Sequence, residues 1–180
     1  MDRGTDFLKS QVNNAVMQHR AFLKALEGHK EQAEDSRFRN LCTRYIPMMR
    51  AHQEKLEAYQ EELDAGSGVI KKAVGSTLGA IRDLADVARE SDFLRLVGDI
   101  VMSRQSEDTF KTFREAGRQL GLPLLAQIGD EGERGHDEYN QDANRLVQRL
   151  FIEHVSEGGM PSEIRGEPPL GFKKGETEAY

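Results

Sequence analysis

Residues 127–139 read QIGDEGERGHDEY and contain three glycines at intervals of three residues: Gly129, Gly132 and Gly135. Glu133 and His136 lie among them, and whether the stretch is a helix or a loop decides how the second half of the chain folds. Each glycine inside an exposed helix costs about 0.8 to 1.0 kcal/mol relative to alanine. A helix here therefore needs a compensating gain, such as close packing by a neighbouring helix.

The residues on both sides of this stretch have the spacing of a helix. Apolar residues, together with Gly132 and His136, recur every three or four residues, which is the period of one helix face. Pro123 suits the first turn of such a helix. We therefore predict a long last helix from Pro123 onwards, with these residues on its inner side: Leu125, Ile128, Gly132, His136, Tyr139, Ala143, Leu146 or Val147, and Leu150.

The same spacing predicts three earlier long helices. The first would begin at a cap on Thr5 or Asp6 and end at Gly28, and the third would run from a cap at residues 91–92 to Gly121. The second would extend from 35 or 36 to about 65. Pro47 lies inside this second helix, where a missing backbone hydrogen bond should kink it.

The connections between these helices predict an all-α, ferritin-like four-helix bundle. Short turns make neighbouring helices antiparallel, whereas a long connection lets the third helix run parallel to the second. Here the connection includes a shorter helix over 69–90, after the turn-forming DAGSG at 64–68. We assign residues 1–157 to the bundle and 158–180 to an extended tail rich in proline and glycine, which could pack against a partner.

Composition excludes several classes of function. The formal charge is -6 and no basic cluster occurs, which argues against general nucleic-acid binding. Cys42 is the single cysteine, so no intramolecular disulfide is expected. No stretch is apolar enough for a signal peptide or a membrane span, and we expect a cytoplasmic protein that does not associate with membranes.

Some polar residues are predicted to lie in the bundle core, where they could bind iron, manganese or zinc. Glu133 and His136 form a Glu-x-x-His pair, and two residues three apart on a helix can reach the same ion. Carboxylates can bridge two ions, and a neutral imidazole can bind one. The candidate metal ligands are His19, His52, Glu107, Glu133 and His136.

The sequence resembles the ferritin-like stress proteins of the YciE/YciF type over roughly residues 5–155. The resemblance rests on the helix order and on two segments, FLKALEGHKEQAEDSRFRNL at 22–41 and FREAGRQLGLPLLAQIGDE at 113–131. It implies a small, often dimeric bundle with a two-metal site. The implied ligands are a Glu on helix one, Glu-x-x-His on helix two, and further Glu and His residues on the last two helices.

Several positions of this chain differ from the ligand pattern that the resemblance implies. His19 stands where helix one would carry Glu, and Met49 replaces the Glu that should precede His52. Ser103 and Arg104 stand where helix three would carry ligands, and Glu107 or Asp108 is the nearest replacement. Only the Glu-x-x-His of the last helix keeps its spacing. The implied metal centre is therefore degenerate.

Three functional hypotheses remain open. The first, which we favour, is a non-catalytic, stress-associated or structural protein that is expected to be a homodimer. In such a protein an inward Arg104 would pair with Glu133 or Glu107, and the histidines would be hydrogen-bonded core residues. The second is a metalloprotein with oxidase or peroxide-related activity. The third is an interaction module that binds a protein partner through its tail.

Overall fold

The computed structural model describes residues 3–65 and 91–157, and in these ranges the protein is all-α, with four helices and no strand. The shorter helix expected over 69–90 and the tail expected over 158–180 lie outside the described residues. The helices have these bounds: α1 Arg3–Gln32, α2 Ser36–Ala65, α3 Asp92–Leu120 and α4 Pro123–Glu157.

The helix ends follow local chemistry. Asp35 caps α2, because its Oδ1 accepts hydrogen bonds from the backbone N–H groups of Arg37 (2.7 Å) and Phe38 (3.3 Å). Ser91 caps α3 through a 3.3 Å bond from the N–H of Leu94 to its Oγ. Gly121 ends α3 in the left-handed conformation, with φ 68°. The predicted starts of α2, α3 and α4 and the predicted end of α3 are therefore confirmed.

The predicted end of α1 at Gly28 is wrong, because α1 continues to Gln32. Gly121 is the one described glycine with a positive φ, so Gly28 does not adopt the left-handed conformation of a helix stop. One turn later, the N–H of Ala33 donates to the carbonyl of His29 at 2.8 Å, and Ala33 is buried. The burial of Ala33 and its hydrogen bond stabilise the extra turn by more than the one glycine in the helix destabilises it. α2 also continues through Pro47, and the kink there stays a prediction.

Contacts at the helix ends define the directions of the four helices. The backbone N–H of Asp35 donates to Asp92 Oδ2 at 2.6 Å, so α2 and α3 begin at the same end of the bundle. Arg37 pairs with Glu153 at 2.6 Å, which places the end of α4 there as well. α2 and α3 therefore run parallel to each other and opposite to α1 and α4. Because 30 helical residues span about 45 Å, the end of α2 lies a bundle length away from the start of α3.

The core consists of two apolar clusters separated by a polar layer. One cluster, which includes Phe22 and Phe38, fills the end where α2 and α3 begin. The other, which includes Val12 and Leu125, fills the opposite end. Between them, near the middle of the bundle, lie five buried polar side chains: His19, His52, Gln53, Ser103 and His136.

The three glycines of residues 127–139 lie inside α4, where each admits a close neighbour. A Cβ on Gly129 would overlap the α3 backbone, a Cβ on Gly132 would overlap the Phe110 ring, and a Cβ on Gly135 would overlap the His52 ring. The absent side chains allow α3 and two aromatic rings to pack directly against α4. This packing offsets the helix penalty of the glycines, and the stretch is a helix.

Candidate metal centre

Three histidines from three helices meet in the polar layer. His19 lies on α1, His52 on α2 and His136 on α4, with exposed fractions of 1%, 7% and 0%. One nitrogen of each ring lies within 4.8 Å of the corresponding nitrogens of the other two. Three of the five candidate ligands are thus brought together at one point.

A hydrogen bond fixes the tautomer of His19. Its Nδ1 lies 2.9 Å from Gln53 Oε1, while Gln53 Nε2 donates to Glu57 Oε1 at 2.6 Å and to the Val16 carbonyl at 3.3 Å. Because the amide nitrogen faces two acceptors, the amide oxygen must face His19, and Nδ1 carries the proton. The Nε2 of His19 is left with a lone pair, and it is buried without a hydrogen-bond partner among the described residues.

The other two imidazoles also have a buried nitrogen without a partner in 3–65 or 91–157. His136 Nδ1 lies 2.9 Å from the Oγ of Ser103 on α3, whereas its Nε2 is unpaired within these ranges. His52 Nδ1 is unpaired there too. Buried polar atoms are nearly always hydrogen-bonded, so an unpaired ring nitrogen on each of three clustered histidines calls for an explanation. A metal ion bound by the three rings would provide one.

Phenylalanine rings form the walls around the histidines. Phe110 stacks on His136, with ring centroids 5.4 Å apart, and meets His19 edge-on at 5.6 Å. Phe22 lies 5.2 Å from His136 on another side. These apolar rings give the cluster a surrounding of low polarity.

Burial keeps the three imidazoles neutral at pH 7. Desolvation lowers the pKa of His19 to about 4, and it also lowers the pKa of His52 to about 4. The pKa of His136 is well below its ordinary value, first because of burial and then because of its two histidine neighbours. A neutral imidazole is the form that binds a metal, so the rings need lose no proton when an ion enters.

The two candidate carboxylates do not join the histidines. Glu133 forms a partly buried ion pair with Arg114 of α3. Glu107 accepts a 2.6 Å hydrogen bond from Asn140 Nδ2 and lies 3.5 Å from Arg104. Arg104 pairs with Glu107, one of the two partners that the sequence suggested, but its side chain is 53% exposed, so the pair does not lie inward in the core. The cation beside Glu133 is Arg114 instead.

Sequence reasoning did not identify the hydrogen bonds of Gln53 and Ser103 with two of the histidines, or the pairing of Arg114 with Glu133. Ser103 carried a usable signal, because it stands seven residues after Leu96 and seven before Phe110, on one stripe of α3. All three residues of that stripe are buried. A serine on an apolar stripe needs a hydrogen-bond partner, and here that partner is His136.

The described residues fit a single ion better than a pair of ions. Zinc binds imidazole nitrogen at about 2.0 to 2.1 Å, so tetrahedral ligand nitrogens stand about 3.4 Å apart. Nitrogens that are now up to 4.8 Å apart would have to approach each other by up to about 1.4 Å when an ion binds. A two-metal site needs bridging carboxylates, and among the described residues none belongs to the histidine group.

Comparison with known proteins gives no significant match to any protein-family model, curated protein or solved structure. The likeness to YciE/YciF-type proteins therefore gains no support from relatives. No helix in 3–65 or 91–157 combines the length and the apolar character of a membrane span.

Proposed function

We propose that this protein binds one divalent metal ion in the middle of its bundle through His19, His52 and His136. One observation carries the proposal, namely the convergence of three buried histidines whose rings each keep a nitrogen unpaired within the described helices. The neutral state of the rings and the hydrogen bonds that orient His19 and His136 support it, since metal-binding histidines commonly use their second nitrogen in a hydrogen bond.

Three neutral ligands would leave the ion with its full charge and with at least one open coordination position. A bound ion of this kind supplies Lewis acidity and lowers the pKa of a bound water molecule. The phenylalanine walls would limit access to that position. Iron, manganese and zinc remain the candidate ions, and oxidase or peroxide-related chemistry would require iron or manganese.

Elemental analysis tests the proposal. The purified protein is loaded separately with zinc, manganese or ferrous iron, desalted and analysed beside His136→Ala. We expect close to one ion per chain in the wild type for at least one metal, and none in the variant. His154→Ala is the control, because His154 is bonded to the Leu150 carbonyl of its own helix, outside the cluster. A folded wild-type protein that retains none of the three metals would contradict the proposal.

A second candidate function is a scaffold whose ancestral metal centre is degenerate. The ion pair of Glu133 with Arg114 and the hydrogen bond of Glu107 with Asn140 favour it, since each carboxylate has a protein neighbour of complementary charge or polarity. The aromatic packing of His136 against Phe110 is also typical of an ordinary core. On this hypothesis the histidine variants change only the stability of the protein.

The ferritin-like assignment is also a proposal. The parallel course of α2 and α3, opposite to that of α1 and α4, supports it, because this order requires a long connection between the second and third helices. A stress-associated role rests on the resemblance alone. Binding of a partner through 158–180 would be tested by deleting that segment, which should abolish partner binding or dimer formation and leave the helix content of the bundle unchanged.

A homodimer is supported by apolar side chains exposed near the end of α4. Phe151 and Ile152 are 57% and 62% exposed. We expect Phe151→Asp with Ile152→Asp to convert a dimer to a monomer in light scattering coupled to gel filtration. Phe7→Asp, on the exposed side of α1, is the matched control. A wild-type monomer at micromolar concentration would contradict the dimer.

A further inference from the structure

The ion pair between Arg114 and Glu133 lies beside the three-histidine site. Phe110, which stacks on His136, precedes Arg114 by one turn of α3, and Glu133 precedes His136 by three residues on α4. The two charged side chains are 25% and 18% exposed, so solvent screens their attraction less than it screens a surface pair. The carboxylate of Glu133 is therefore held on α3.

Without this pairing, the Glu133 carboxylate would be well placed to bind an ion held by His136. Residues three apart on a helix project from the same side, and Glu-x-x-His pairs bind metal ions in bundle cores for this reason. The structure keeps the spacing of such a pair but gives the carboxylate another partner. The ion pair with Arg114 is therefore the feature that separates the three-histidine cluster from a site in which the Glu133 carboxylate is also a ligand.

We infer that Arg114 is a specificity-determining residue, which holds Glu133 away from the ion and makes the centre a three-nitrogen site for a zinc-class ion. This inference rests on the proposed metal binding. Imidazole ligands suit zinc and copper, whereas carboxylates favour manganese and other hard ions. Freeing Glu133 should therefore raise manganese affinity much more than zinc affinity.

The test compares changes in affinity between variants, because zinc binds more tightly than manganese at most sites with nitrogen or oxygen ligands. Manganese binding is followed by the loss of the electron paramagnetic resonance signal of free Mn²⁺, and zinc binding by competition with a chromophoric chelator. We expect Arg114→Gln to bind Mn²⁺ at least about tenfold more tightly than the wild type, with zinc affinity changed less than about threefold.

Two further variants isolate the cause of that gain. Arg118→Gln removes a neighbouring pair, Arg118 with Asp130 at 3.7 Å, which joins the same two helices one turn further from the site. This variant should bind both ions as the wild type does. Adding Glu133→Gln to Arg114→Gln should abolish the gain in manganese affinity, since the carboxylate is the source of the gain. A gain that survives in the double variant overturns the inference.

Glu133→Gln alone provides a second test that does not depend on the folding of Arg114→Gln. Zinc affinity should stay within about threefold of the wild type, whereas His136→Gln should lower it more than about 100-fold, because only the histidine is a ligand. A loss above about tenfold in Glu133→Gln would overturn the inference and leave metal binding intact. A wild-type protein that binds neither ion would instead refute the proposed function, and the inference with it.

Discussion

At the scale of single residues, the site depends on where three imidazoles lie. His19, His52 and His136 are ordinary side chains whose acid–base behaviour is changed by their removal from water. Hydrogen bonds with Gln53 and Ser103 then fix two of the rings. Burial keeps these groups neutral at physiological pH, which is the state that the proposed metal binding needs.

The lowered histidine pKa values predict that the metal-free protein loses stability in acid. The pKa of His19 is about 4 in the folded protein and about 6.5 in the unfolded chain. Between these values only the unfolded chain binds the proton, so the free energy of unfolding falls as the pH falls from 6.5 towards 4.

Urea unfolding at pH 7 and pH 5, with metal removed, measures this effect. The loss of stability between the two pH values should be about 2 kcal/mol smaller in His19→Gln than in the wild type, because the amide does not titrate. The same pH dependence in both proteins would show that His19 titrates normally in the folded state.

Ser103 is expected to act on the site through His136. We expect Ser103→Ala to lower zinc affinity about tenfold, because residues that orient a ligating histidine typically contribute that much. Ser106→Ala is the matched control, since Ser106 is buried on the same helix and its hydroxyl has no hydrogen-bond partner in the described part of the chain. Chelator competition measures both, and equal affinities for the two variants would show that Ser103 has no orienting role.

At the scale of helices, glycines set how closely α3 and α4 approach each other. A Cβ on Gly129 would overlap the α3 backbone, which cannot move aside as a flexible side chain can. Gly98 is a buried glycine of α3 where an added Cβ would meet no atom of the described residues within 4 Å. The two positions therefore separate the effect of packing from that of helix propensity.

Alanine at these two glycines should change stability in opposite directions. Gly129→Ala should destabilise the protein by about 1 to 3 kcal/mol or more, as overpacking does. Gly98→Ala should stabilise it by about 0.5 to 1 kcal/mol, because alanine favours the helix and its methyl group has room. Urea unfolding measures both changes, and a stabilised Gly129→Ala would mean that α3 and α4 can move apart without cost.

The helices were predictable from the sequence because their apolar stripes and their caps are local signals. Ser91 and Gly121 cap α3 through their own local conformation and hydrogen bonds. His19 continues the buried face of α1 that Val12 and Ala15 begin. The partners of Glu133 were not predictable in this way. Arg104 and Arg114 lie on the same helix. Which of them faces Glu133 depends on how α3 is rotated about its axis relative to α4, and sequence spacing does not define that rotation.

At the scale of the whole molecule, a polar layer separates two apolar clusters. Its unpaired nitrogens cost stability in the absence of a ligand, because buried polar groups without partners are unfavourable. An ion that binds only the folded state would stabilise the entire bundle.

Zinc should therefore raise the melting temperature of the wild type. At a free concentration about 100 times Kd, binding contributes about 2.7 kcal/mol, which corresponds to about 5 to 10 °C for a chain of this size. Differential scanning fluorimetry with zinc, followed by excess chelator, measures a reversible shift. His136→Gln should show none, and an equal shift in that variant would place the bound zinc elsewhere.

The directions of the helices also divide the site between two halves of the chain. α1 and α2 form one antiparallel hairpin that carries His19 and His52, and α3 and α4 form another that carries His136. Each hairpin can assemble from local contacts, whereas their docking depends on contacts that are distant in sequence. Full affinity for the ion would arise only at the docking step, so the metal would act late in folding and would slow the separation of the two hairpins.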